Sequence, residues 1–461
     1  MTAQSRLLHD ISLNYEYRIS NKLTITMFHN EILAVAITIL ASTVACHGHF
    51  ADPRPTATGI AGCGRPYEVA PSFLQPSYPS STESAFAAVN LTRYLQPRYP
   101  QDYSVAGPPL ELVHEIYGDF PTGVAVDSTG RLFFNLPRSS GTTNYTVTVA
   151  TSFDNEAPWP NAEIQTCVPA QNVSTCFVNV QSVVIDSLQT RLWVLDTGLA
   201  PGASVASPYG AKIWAFNLTN GAPLRNYVLP TALTAGGMNI NDVRFNLSLG
   251  NAGTGFISDE QGSLVVLDLE TGIYTRRLFN ETVTTADSLF VGSFDGVPFY
   301  KWSGTTRSHL SIGADGIALA AGNLYFAPLA SRRLYQVQQD ILADASLSDA
   351  EVLAHVEPIG QIGSYTEGFT ADDRGRVYMG TAEQNSISYF NTSLSTLTNS
   401  TTLNGLHING SGAIPAGDIT VAPFVRSALI QWADSLAVQN DYLYFTTVSP
   451  LDAVSSSEHQ R

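Results

Sequence analysis

The sequence predicts an all-β fold, a six-bladed β-propeller forming a single domain behind an N-terminal signal segment. The first observation behind this is a short phrase that returns six times. It reads Pro121-Thr122-Gly123-Val124-Ala125-Val126, Val180-Gln181-Ser182-Val183-Val184-Ile185, Asn241-Asp242-Val243-Arg244-Phe245, Ala314-Asp315-Gly316-Ile317-Ala318-Leu319, Thr366-Glu367-Gly368-Phe369-Thr370 and Ala433-Asp434-Ser435-Leu436-Ala437-Val438. The second is an apolar strand soon after each copy, such as Leu192-Trp193-Val194-Leu195 or Leu324-Tyr325-Phe326; the third copy reaches Gly255-Phe256-Ile257 after a Gly/Asn-rich turn. The third is spacing: copies recur every ~50–75 residues, the range of four-stranded blades rather than helical solenoid units. A propeller gathers one equivalent position per repeat at its central channel. Those positions are Thr122, Gln181, Asp242, Asp315, Glu367 and Asp434.

Composition agrees. The chain has 461 residues, yet closed all-β folds often run long as one domain. Its 21 Phe and 20 Tyr suit strands, while 35 Gly and 25 Pro supply turns. A formal charge of −16 argues against nucleic-acid and anionic-membrane partners, which need a basic surface, and is compatible with a small neutral or cationic ligand.

Residues 1–48 read as a polar extension and a secretory signal, with an apolar run from Ile32 to Val44 and small residues at Thr43 and Ala45. The run is shorter than the ~18 apolar residues a membrane span needs. Either Met27 is the true start or the n-region is unusually long; the first fits better. Residues 49–104 form a Pro/Ser-rich arm, and residues 105–461 form the propeller. Secretion is also expected from sequons at Asn90, Asn144, Asn172, Asn217, Asn246, Asn280, Asn391, Asn399 and Asn409. Cys167 and Cys176 enclose a short loop, and a disulfide between them would contribute roughly 2.5–3 kcal/mol on the loop-entropy model. Cys63 would then pair with Cys46 or remain free; four reduced cysteines in the cytosol is the alternative. The last blade shows two strands before the chain ends, so closure is expected to borrow a strand from the N-terminal region.

Three stretches carry a family resemblance. They are Arg191-Leu192-Trp193-Val194-Leu195-Asp196-Thr197-Gly198; Asp315 to Leu319 with Ser331-Arg332-Arg333-Leu334-Tyr335; and Trp432-Ala433-Asp434-Ser435-Leu436. Together they resemble the Yellow / major royal jelly protein family over roughly residues 110–450. The resemblance implies a secreted six-bladed propeller binding small molecules at its central opening. Animal members are associated with biogenic amines and melanin precursors. The Pro-rich N-terminus and Ser/Thr-rich loops look like those of a filamentous-fungal member. Fungal propellers similar to this family include cofactor-free enzymes of secondary metabolism, among them hetero-Diels–Alderases.

The chemistry expected at the axis follows from its carboxylates. Two of them about 8 Å apart repel by about 2 kcal/mol at an effective dielectric of about 20, so the cluster wants a proton, a cation or donor side chains. Asp315, Glu367, Asp434 and Asp242 are the candidate catalytic residues, with Asp315 and Glu367 foremost because each precedes a Gly that would keep the approach open. Thr122, Gln181, Tyr365 and Trp432 are the candidate ligand-binding residues. The plainer reading is that the acids cap backbone amides and the aromatics pack as core. Ca²⁺ would suit such an oxygen-rich axis, as in a metal-dependent lactonase, although no cofactor is the primary expectation. Arg332 and Arg333 read as salt-bridging strand ends more than as anion binders. His47-Gly48-His49 resembles a copper-oxygenase terminus by coincidence, since the rest of the chain is the wrong fold. No nucleophile elbow, zinc-peptidase helix, P-loop or dinucleotide fingerprint occurs. The expected function is a cofactor-free cycloaddition, isomerisation or dehydration of a small metabolite; the alternative is a non-catalytic binder of aromatic or amine ligands.

Overall fold

The computed structural model describes residues 105–447, apart from 118–119, 139–142, 168–171, 304, 398–400, 404–405, 409–411 and 416, together with a strand at Val89–Asn90. The chain divides into two units, Met1–Thr82 and Glu83–Arg461. The signal run, Cys46, Cys63, Asn399 and Asn409 lie outside the described residues, as does nearly all of the 49–104 arm.

Five antiparallel four-stranded sheets follow one another along the chain. Blade one is Gly123–Val126, Leu132–Asn135, Val147–Ala150 and Glu156–Pro158. Blade two is Val180–Ile185, Arg191–Asp196, Lys212–Asn217 and Pro223–Val228. Blade three is Ile240–Asn246, Thr254–Asp259, Ser263–Asp268 and Tyr274–Arg277. Blade four is Ala314–Ala320, Asn323–Pro328, Arg333–Gln338 and Glu357–Gln361. Blade five is Phe369–Ala371, Arg376–Thr381, Ser386–Asn391 and Ala422–Arg426. Where a sixth four-stranded blade is expected, the described residues give a two-stranded sheet, Ala433–Gln439 with Tyr442–Thr447. The fold is therefore an all-β propeller with five complete blades and this terminal sheet, which neighbours blade five on one side and blade one on the other.

The cores explain the alternating pattern. Successive side chains of a strand point to opposite faces, so an inner strand serves two neighbours at once. In Arg191–Asp196, Leu192 and Val194 pack with Phe133 and Val180, toward blade one, while Trp193 and Leu195 pack with Ile240 and Val243, toward blade three. Equivalent clusters join blades three to four, four to five, five to the terminal sheet, and the terminal sheet to blade one. The core is thus a set of wedges between sheets, leaving the axis to the polar ends of the first strands. Leu110 packs against the cluster joining blade five to the terminal sheet, and Val113 and Ile116 against the cluster joining the terminal sheet to blade one.

Two departures from the regular repeat matter. Residues 286–313, between blades three and four, carry two extra hairpins, Gly292–Phe294 with Val297–Phe299 and Lys301–Ser303 with Thr306–Ser308. Between the third and fourth strands of blade four stand two short helices, Gln339–Ala343 and Asp349–Leu353, the second started by a Ser348–Glu351 capping box.

Candidate functional site

The recurring phrase is the first strand of each blade, and four of these strands share a defect at the axis. Pairing slips between Val180 and Ser182, Ile240 and Val243, Ala314 and Ile317, and Ala433 and Leu436. The extra residues are Gln181, Asn241 with Asp242, Asp315 with Gly316, and Asp434 with Ser435. A β-bulge re-aims a side chain out of the ladder, and here it aims the polar member of each phrase at the axis.

Hydrogen bonds then run from blade to blade. Thr122 Oγ1 donates to the Gln181 carbonyl (3.1 Å) and accepts from Asn135 Nδ2 (2.7 Å), so its hydroxyl is engaged by the scaffold. Ser182 Oγ donates to Asp242 Oδ1 (2.9 Å), and Asn241 Nδ2 donates to Asp315 Oδ1 (2.5 Å). Trp432 Nε1 donates to Glu367 Oε2. Asp242 also pairs with Arg244 (2.5 Å), whose guanidinium reaches from blade three to the Phe369 carbonyl of blade five.

The glycine following Asp315 and Glu367 has a different role from the one expected. A Cβ on Gly316 would stand 2.1 Å from the Glu367 carbonyl oxygen, and one on Gly368 would stand 1.9 Å from that of Asp434. These glycines are needed because one blade's backbone presses against the next, not to open an approach to the carboxylates.

Burial decides the protonation of the acids. Loss of water pushes Asp315 well above the usual carboxylate range, and negative Glu367, Glu260 and Asp242 push it further, against one hydrogen bond from Asn241. Asp434 rises for the same reasons, burial first and then the charge of Glu367 and the hydrogen bond the two share. Glu367 is also raised by burial, though its bonds to Trp432 and Asp434 offset part of this. Glu260, from the turn between the second and third strands of blade three, is pushed up to about 7 by burial. Glu260, Glu367 and Asp434 are half-buried. Neutral carboxyl groups are hydrogen-bond donors, so the raised acids of the axis are suited to donate to a ligand oxygen.

Beside the acids stands an aromatic wall. Tyr365 and Trp432 have ring centroids 5.2 Å apart, and Phe299 lies 5.5 Å from Tyr365 and 5.9 Å from Trp432. Phe290 meets Tyr365 edge-on at 6.3 Å, and Phe294 lies 6.4 Å from Trp432. The Tyr365 hydroxyl is fully buried and has no hydrogen-bond partner among the described residues. Sequence reasoning missed Glu260 and the three phenylalanines. Glu260 breaks no motif, and the phenylalanines belong to the insertion, which has no counterpart in other blades.

Arg332 and Arg333 are salt-bridging strand ends. Arg332 grips Glu383 through Nε (2.7 Å) and Nη2 (2.6 Å), and Arg333 faces Asp287 at 3.6 Å. Glu383 also accepts from the amides of Ser293 (2.9 Å) and Tyr365 (3.2 Å), tying the insertion to the aromatic wall. Cys167 and Cys176 form a disulfide. Among the described residues no three acidic, histidine or cysteine side chains converge closely enough to hold a metal ion, so the lactonase-type reading finds no donor set there.

A propeller with bulged acidic residues at its axis is the class these features define. The family model for major royal jelly proteins matches residues 178–422, and the chain belongs to that family. In the motif Arg191 to Gly198, Asp196 accepts from the amides of Val178, Asn179 and Gly198 and pairs with the fully buried Lys212 at 2.7 Å, so this signature is structural. No curated protein matches the chain. Solved structures similar to it include virginiamycin B lyase from Staphylococcus aureus (11% identity, TM-score 0.36, 71% of this chain and 92% of that one). A gluconolactonase from Xanthomonas campestris gives 10%, 0.38, 71% and 83%, and a luciferin-regenerating enzyme gives 13%, 0.37, 72% and 85%. Similarity at that level carries no argument about activity.

Proposed function

We propose that this family member is a secreted fungal six-bladed propeller that takes a small planar metabolite at its axis and converts it without a redox cofactor. The reaction class is isomerisation, dehydration or cycloaddition of hetero-Diels–Alder type. One observation carries this reading: several carboxyl groups held protonated by burial lie beside an aromatic wall whose one phenol hydroxyl lacks a partner. Trp432 and Phe299, the half-buried members of the wall, would stack a flat unsaturated ligand, and the acids would donate to its carbonyl oxygen, polarising it in the transition state. Holding two reacting carbons in contact supplies several kcal/mol more with no covalent role for the protein. Secretion is supported by the Cys167–Cys176 bridge and by exposed sequons at Asn144, Asn172 and Asn280. Asn246 is a poorer glycan acceptor, because its side-chain nitrogen donates to Gln339 at 2.7 Å.

The same acids and aromatics favour a second reading, binding of an aromatic amine. An ammonium group would sit well over the half-buried Trp432 and draw the protons off the acids. A thermal-shift panel of naphthoquinone, tropolone and tyramine separates the two. Stabilisation by the carbonyl compounds supports the proposed catalyst, stabilisation by tyramine alone supports the binder, and no response to any of them contradicts both.

A further inference from the structure

We propose that the first hairpin of the insertion sets which ligands fit the central site, and that Glu383 is the residue that positions it. The inference deepens the functional reading above and rests on it. Chain connectivity puts the hairpin at the right end of the propeller. The insertion leads into the first strand of blade four, as Tyr365 and Trp432 lead into those of blade five and the terminal sheet, and the bulged acids lie at the starts of these strands. Contacts then join the hairpin to the axis. Phe299 packs against Tyr365 (5.5 Å) and Trp432 (5.9 Å), Phe294 lies 6.4 Å from Trp432, and Trp432 Nε1 donates to Glu367. The hairpin backbone is pressed against the same rings: a Cβ on Gly292 would stand 2.8 Å from a Phe299 ring carbon and 2.9 Å from the Tyr365 ring. Phe294 and Tyr365 are buried, whereas Phe299 and Trp432 are half-buried. Phe299 is thus the insertion residue placed to touch a ring stacked on Trp432.

One carboxylate ties the hairpin down. Glu383 follows the second strand of blade five, and its side chain is 8% exposed. Its Oε1 accepts from the amide (2.9 Å) and hydroxyl (3.1 Å) of Ser293 in the hairpin and from Arg332 Nη2 (2.6 Å). Its Oε2 accepts from Arg332 Nε (2.7 Å) and from the Tyr365 amide (3.2 Å). Arg332 also donates to the Val291 carbonyl (3.2 Å) and lies 4.9 Å over the Phe290 ring, and Asn385 of blade five donates to Asp295 in the hairpin turn (3.0 Å). The repeat itself does not call for this ion pair. The second residue after the second strand is Pro137, Gly198, Gln261 and Ala330 in blades one to four. The residue before the third strand is Thr146, Ala211 and Gly262 in blades one to three and Asn385 in blade five. Among the five complete blades, the carboxylate occurs in blade five alone and the arginine in blade four alone, and these are the two blades to which the hairpin is tied.

Donors converge on both oxygens of Glu383, so an amide is no substitute. In Glu383→Gln the side-chain NH2 would face donor groups whichever way the amide turned. The hairpin would then lose its tie, and the Phe299 ring its fixed place on Trp432, with the axis acids themselves untouched. Glu383 therefore acts on the site through Phe299, and Phe299 sets how large a ring system can stack on Trp432.

The test reads access to Trp432 in the full-length protein and needs no ligand. Trp432 emission is isolated in each variant by difference against the same variant carrying Trp432→Phe, well below the melting temperature. The probes are two neutral quenchers, acrylamide and the bulkier ring succinimide, each scaled to its effect on free N-acetyltryptophanamide. In the wild type succinimide should reach Trp432 less well than acrylamide. Phe299→Ala should raise quenching by succinimide more than quenching by acrylamide, because the ring that limits size is gone. Glu383→Gln should raise quenching by both and shift the emission to the red. Arg332→Gln, at a 37% exposed side chain that grips the same carboxylate, should do the same and decides the matter if Glu383→Gln fails to fold. A lowered melting temperature with unchanged Trp432 emission and quenching in the folded variants makes the pair a structural tie and overturns the positioning role. Equal access for the two probes in the wild type, or equal gains in Phe299→Ala, overturns the size-setting role. Failure here is distinct from failure of the functional reading, which the ligand panel tests.

Discussion

Asp315 shows how one residue's surroundings set both its chemistry and its cost. Its side chain is 3% exposed, faces three other acids and has one amide donor, so it holds its proton far above the usual carboxylate range. Asp434 and Glu367 are raised by the same causes, burial first. In the unfolded chain these groups titrate near the ordinary value of about 4, so at neutral pH the folded state binds more protons. Their stabilising contribution is complete below that range and is lost as pH rises through the folded values. The melting temperature is therefore expected to fall as pH rises above the ordinary carboxylate range. Asp315→Asn keeps the acceptor for Asn241 and removes one ionisable group, so it should flatten this dependence and melt at or above the wild type at the alkaline end. Differential scanning calorimetry of both proteins over that rise in pH checks the expectation; a wild type that gains stability with rising pH contradicts it.

At the scale of the element, the first strand of each blade explains what could be read from the chain and what could not. The phrase Ala314 to Leu319 shows an apolar strand behind a polar residue, and that much is legible by pattern. The bulge that turns Asp315 toward the axis is not, because a bulge exists only relative to the register of the partner strand. Gly316 and Gly368 look like markers of access, yet their true constraint is the neighbouring blade's carbonyl, a contact between residues far apart in sequence. Phe290, Phe294 and Phe299 escape the pattern because they occur once, in an insertion. Gly368→Ala should cost about 1–3 kcal/mol, the usual range for overpacking a tight contact. It should also disturb the Trp432–Glu367 pair, since the next blade must move away. Urea denaturation and Trp432 emission check both effects; unchanged stability would mean the contact is slack.

For the whole molecule, the question is closure. Wedge-shaped cores join each blade to the next, and the terminal sheet packs against both blade five and blade one. The sequence showed two strands in that last position, and the described residues give the same two. Leu110, Val113 and Ile116 pack against the clusters on either side of that sheet. A chain starting at Glu83 is expected to melt like the full-length protein, whereas one starting at Phe120 loses those three contacts. Fully burying one apolar side chain is worth about 1.5–3 kcal/mol and these three are half-buried, so the shorter chain should unfold at lower urea concentration. Equal midpoints for the two truncations would show that closure does not use this segment.

Acids at the axis that serve a ligand and not the architecture can be replaced without loss of stability. The most direct measurement pairs the thermal melting of Asp315→Asn and Glu367→Gln with their affinity for whichever panel compound stabilises the wild type. The account predicts that both variants melt at or above the wild-type temperature while affinity falls about tenfold or more, the loss of ~1.4 kcal/mol expected when a hydrogen bond to a buried charged or polarised group is removed. Variants that melt early yet bind as tightly as the wild type would contradict it, and would make the ring a structural seam between blades.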